Sequence, residues 1–145
     1  MEKFDWAVVA NGSQARILER SKTAARAWRE LTCLVHPDTR THQNDPHGNT
    51  VGHTISGRRG LAPRQDAKKH HRQIFCKQIV EKIEEGSSSN RVTGIVIFAS
   101  APMLGELLNE LEDDAKKLIV AKYQIDLTSL SMTELINRFH QEFDL

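Results

Sequence analysis

Cysteine is scarce in this chain: 145 residues contain two, Cys33 and Cys76. Two thiols cannot build the disulfide framework of a small secreted domain, and a chain of this length can bury a core without one. Both are expected to be free, partly buried thiols. Aromatic residues are few, and Trp6 and Trp28 fall on expected strands, so they read as core rather than as platforms for stacking bases. Long apolar runs are missing as well. The start, MEKFDWAVVANG, is too short in apolar residues for a signal-peptide core or a membrane span. A cytoplasmic protein without a membrane span is the expectation.

Several chemical signatures are absent. There is no Walker loop, no dinucleotide fingerprint, no G-x-S-x-G elbow and no H-E-x-x-H helix. A two-metal nuclease needs carboxylates at the ends of neighbouring strands, yet WAVVAN and IVIFAS carry none, and Asp5 stands alone. His36, His42, His47 and His53 are spaced by six, five and six residues, without a cysteine pair, which is not a zinc-ligand pattern. They read as solvated loop residues, and His71 as half-buried. Cys76, mid-helix at the edge of the buried face, reads as a core thiol, with a low-pKa thiol beside its basic neighbours as the weaker alternative. No catalytic residue, metal or cofactor is assigned, and the reading leans away from an enzyme.

What is present is a regular alternation of elements. Trp6 to Ala10 is a continuous apolar run, as for a strand covered on both faces. Asn11-Gly12 signals a hairpin through a type I′ turn with positive φ at both positions, and the return strand runs from Gln14 to Arg20. A third strand, Trp28 to Val35, sets Leu31, Cys33 and Val35 on one face. A basic helix from Ala67 onward is expected to stop at Gly86, a C-cap glycine before a serine run. Val92 to Ala99 is a buried strand, and Ser100-Ala101-Pro102 opens a helix with Ser100 as N-cap and Met103, Leu104, Leu107, Leu108 and Leu111 as its apolar face. A fifth strand, about Leu118 to Ile125, leads to the capping box Ser131-Met132-Thr133-Glu134 and a last helix buried by Leu135, Ile136, Phe139 and Phe143.

The order β-β-β-α-β-α-β-α predicts an α/β (mixed α+β) domain spanning 1–145. Strands four and five, each reached through a helix, are expected parallel to a central strand beside the antiparallel meander. This is a five-stranded mixed sheet flanked by helices, a topology shared by ribonuclease H-like domains and by some domains of the translation machinery.

Between the third strand and the basic helix lies a long polar loop, 36–64, far longer than an ordinary connection and therefore a functional candidate. It ends in Gly57-Arg58-Arg59-Gly60, whose glycines permit close backbone approach. In the helix, Ala67, His71, Phe75, Ile79 and Ile83, with Ile74 beside them, define a buried stripe, and Lys68, Lys69, Arg72 and Lys77 are assigned to the opposite, outer face. Between Arg58 and Lys77 there are seven cations and one carboxylate, Asp66. The whole chain carries only +1, but residues 1–80 hold fourteen Lys/Arg against seven Asp/Glu (+7) and residues 81–145 six against twelve (−6). Such polarity suits an oriented surface, and arginine forks suit phosphate.

The blocks WAVVANGSQARILE, LVHPDTR, NDPHG, GRRGLAPRQDAKK, GIVIFASAPMLGELL and IDLTSLSMTEL, in this order, resemble the bacterial host attachment proteins. That family is similar to the middle domain of archaeal and eukaryotic class-one peptide release factors, where the corresponding loop carries Gly-Gly-Gln. Here the loop offers Gly57-Arg58-Arg59-Gly60-Leu61, with Gln65 nearby but no Gly-Gly-Gln, which counts against release-factor-like ester hydrolysis. The resemblance implies a non-enzymatic module that meets the ribosome or another structured RNA through Arg58, Arg59, Arg64, Lys68, Lys69 and Arg72, with Gly57 and Gly60 giving loop flexibility. The alternative is an attachment factor whose loop meets a protein partner or a surface.

Overall fold

A computed structural model describes residues 2–24, 27–36 and 61–145, with side chains of the first long helix described from Asp66 onward. Strands β1 (Phe4–Ala10), β2 (Gln14–Ser21) and β3 (Arg29–Val35) form the antiparallel meander. Helix α1 (Leu61–Ser88) follows, then β4 (Val92–Ala99), α2 (Ala101–Glu110), the short α3 (Asp113–Lys116), β5 (Ile119–Tyr123) and α4 (Met132–Glu142). The sheet order is β3-β2-β1-β4-β5, with β4 parallel to both β1 and β5. This is the expected mixed five-stranded sheet, with α3 as an unforeseen extra turn.

Strand alternation builds two cores. Phe4, Trp6, Val8 and Ala10 face α1 and α2, where they meet Phe75, Ile79, Ile83, Met103 and Leu107. Ala7 and Val9 face the other way, against Trp28, Phe98, Leu135 and Phe139. Trp6 and Trp28 are both buried, as core residues should be. The Ser131–Glu134 capping box closes in both directions, the Glu134 N–H donating to the Ser131 hydroxyl at 3.2 Å and the Ser131 N–H to the Glu134 carboxylate at 2.9 Å.

The structure corrects five local readings. The β1–β2 hairpin is real, but Gly12 does not adopt positive φ. Asn11 makes the turn instead, its side-chain oxygen accepting from the N–H groups of Ser13 (2.9 Å) and Gln14 (2.8 Å). Helix α1 starts at Leu61, so 61–64 are helical rather than loop, and Pro63 is tolerated because first-turn N–H groups have no intrahelical partner. It also runs past Gly86, which is buried against the Trp6 indole with no room for a Cβ; the stop comes at Asn90, left-handed at φ 60°. On β3, an edge strand, Leu31, Cys33 and Val35 do share one face, but that face is exposed, so Cys33 is not the partly buried thiol expected, and Leu34 on the other face reaches the core. Ser100 sits at the α2 N-cap position without a side-chain capping bond.

Candidate nucleic-acid interface at the overhang of α1

Helix α1 is longer than the sheet it covers. Its 28 residues span about 42 Å, whereas the 8 residues of β4 span about 26 Å. Only residues 89–91 separate the end of α1 from the start of β4, so the surplus projects beyond the opposite edge, where β1 and β4 end. That edge is held together by main chain: Ser100 N–H donates to the Ala10 carbonyl at 3.2 Å and His36 N–H to the Ser13 carbonyl at 2.9 Å. Overhang and sheet edge make an inside corner at the carboxyl ends of parallel strands, where open α/β sheets place their ligands.

The stripe of α1 that lines the corner is cationic. Lys68 stands seven residues before Phe75, Lys69 seven before Cys76, and Arg72 three and four before the same pair, so at 3.6 residues per turn all share the core-facing side. Along the sheet this stripe is apolar, with Phe75, Cys76, Ile79 and Ile83 fully buried. Past the sheet edge it turns basic, with Lys68 and Lys69 exposed. The outer-face assignment therefore holds for Lys77 alone, because periodicity marks a stripe but not the point where its cover ends. Ile74, assigned to the buried stripe, is exposed instead.

Arg72 is half-buried and paired with Glu106 of α2 at 3.4 Å, which fixes it at the floor of the corner. Burial pushes the Cys76 thiol up to about 12, and Glu106 and Glu110 push the same way against the smaller pull of Arg72. Cys76 is thus an inert core thiol, contrary to the low-pKa alternative. His36 is not a solvated loop residue either. It is 2 % exposed, stacked on Phe75 with ring centroids 5.4 Å apart and edge-on to His71 at 5.6 Å. His71 is half-buried, as expected.

Gly57, Arg58, Arg59 and Gly60 lie outside the described residues, as does the side chain of Arg64; Lys68, Lys69 and Arg72 are brought together on one stripe. Sequence reasoning missed Glu106 and the role of His36, for which a histidine directly after an edge strand was the only signal. Asp5 is neutralised by Arg20 at 3.1 Å and Lys22 at 3.4 Å, at the far end of the sheet from the corner. Among the described residues, no three His, Cys, Asp or Glu side chains are grouped to hold a metal ion. No described helix is long and apolar enough to cross a membrane.

Charge on α1 also runs against its own dipole. The first turn has no acid and the last turn no base, so the helix forgoes a few tenths of a kcal/mol at each end, and its overhanging start is left for an anion.

A family comparison decides the membership. A profile described as "Protein required for attachment to host cells" matches residues 6–139, from the first strand into the last helix. The chain belongs to this host attachment family. No curated protein matches it. The matched span begins inside β1 and contains β2 to β5, the corner and all of α1.

Proposed function

We propose that this host attachment protein is a cytoplasmic, non-enzymatic module that binds structured RNA, with the ribosome as the leading candidate, in the corner beneath the α1 overhang. The observation that carries the reading is the change of one helix stripe from Phe75 and Cys76 to Arg72, Lys69 and Lys68 as it leaves the sheet. Exposed lysines on the stripe that is core elsewhere add no apolar burial and concentrate positive charge beside Arg72, which suits them to meet an anion. Arg72, held by Glu106, supplies a positioned guanidinium, while Lys68 and Lys69 supply point charges. Arg58, Arg59 and Arg64 extend the same basic track in sequence.

Binding of this kind releases counterions from the phosphate backbone. Co-sedimentation of the protein with purified ribosomes should therefore be strong at low salt and fall by tenfold or more with a few-fold increase in salt. Pelleting that ignores salt, or no pelleting at either concentration, would remove the reading.

The family description favours a second reading, in which the same corner meets an acidic protein or surface during attachment. Salt-sensitive capture of such a partner by a protein that leaves ribosomes and free RNA alone is the result that distinguishes it.

A further inference from the structure

His36 carries polar atoms that the fold does not use. The residue directly follows β3, and alternation along that strand turns it, like Leu34, toward α1. Its ring lies flat on Phe75, with the planes 5° apart, and meets the edge of His71. Neither Nδ1 nor Nε2 has a hydrogen-bond partner among the described residues. A neutral imidazole always carries one N–H and one bare nitrogen, so at 2 % exposure the described residues leave a buried donor and acceptor unmade, a state native proteins rarely tolerate without a reason. Phenylalanine would fill the same slot, keep the stack on Phe75 and remove the cost.

The position supplies the reason. His36 sits on the floor of the corner, against the turn of α1 that holds His71 and Arg72, one turn from Lys68. We propose that His36 is a ligand-binding residue: when RNA enters the corner, the imidazole turns about χ1 and donates its ring N–H to a phosphate oxygen carried between Lys68 and Arg72. The inference rests on the RNA-binding reading and adds a specific directional contact to a site otherwise built from charge. A hydrogen bond to a charged oxygen in a partly desolvated corner is among the stronger ones available, and the bound state recovers what the free state leaves unmade.

The test is a pair of substitutions measured by thermal melting of the free protein and by co-sedimentation with purified ribosomes at low salt. H36F keeps the ring stack and deletes both nitrogens. It should melt higher than the wild type, by roughly 3 °C, and bind about tenfold more weakly. H36Q, which restores a side-chain N–H donor, should bind within about threefold of wild type without the gain in melting temperature. A merely structural histidine would give the opposite pattern for H36F, a lower melting temperature with unchanged binding.

If K68E/K69E abolishes pelleting while H36F leaves it intact, the His36 proposal is overturned and the RNA reading stands. If the wild type does not pellet at all, both fall. Should H36F fail to fold, H36L, which also deletes both nitrogens, takes its place: binding about tenfold weaker supports the donor, and binding unchanged from wild type overturns it.

Discussion

Gly86 and Trp6 fix how closely α1 lies on the sheet. A methyl group at Gly86 would overlap the indole, and the indole cannot yield freely because its Nε1–H donates to the buried Glu19 carboxylate at 3.3 Å. G86A is therefore expected to destabilise the fold by about 1–3 kcal/mol, measured by urea unfolding, although Gly-to-Ala in an open helix would stabilise it. The two thiols differ just as sharply. Cys33 is exposed and should react with a thiol reagent in the folded protein, whereas Cys76 should react only on unfolding. Because burial holds the Cys76 thiol at about 12 against an ordinary 9.0, its folded pKa is raised: the stabilisation is whole below pH 9.0 and fades as pH climbs toward 12. C76A should flatten that alkaline loss. Asp126 works in the other direction. Burial raises it, but hydrogen bonds from Asn11 and from the Thr128 N–H and hydroxyl outweigh burial and hold it below the ordinary value. Its contribution is present above that ordinary value and lost as pH falls below it.

At the scale of elements, α1 shows how much the amino-acid order reveals and where it stops. Its amphipathic period was readable, since Phe75, Ile79 and Ile83 recur every fourth residue and are buried. The face of Lys68 and Lys69 was not, because they sit on the same stripe and only the sheet's edge separates covered from uncovered turns. That edge is set by the lengths of β1 and β4, far away in sequence. Gly86 misled for a similar reason: a glycine before Ser-Ser-Ser has the composition of a cap, and only Trp6, eighty residues upstream, makes it a packing glycine. The true stop, Asn90, gives its own prediction. N90A should cost about 1 kcal/mol, because alanine lacks the short polar side chain that lets asparagine tolerate left-handed backbone, and N90G, with no Cβ at all, should cost little or stabilise; urea midpoints of the two variants decide between them. The Ser131–Glu134 box and the β4 core strand, by contrast, were legible because local chemistry specifies each completely.

At the scale of the molecule, charge is sorted along the long helix that joins the two halves of the chain. The basic start of α1 overhangs one end of the sheet; at the other end, a groove of about 570 Å³ includes Glu84, Glu112 and Asp114 in its lining. Under the proposed reading an anionic polymer meets the corner rather than that groove, where, among the described residues, Lys3 is the one cation beside the three carboxylates. The family membership connects this architecture to attachment to host cells. The proposed RNA site differs from a plain basic ridge in position: its working cations lie on the inner stripe of the overhang, not on the outer ridge. It is tested most directly by comparing K68E/K69E with K77E in ribosome co-sedimentation at low and high salt. K68E/K69E should lose the low-salt binding by tenfold or more and K77E should retain it within about threefold, because phosphate contacts act at close range. Equal losses in the two variants, or binding untouched by either, would contradict it.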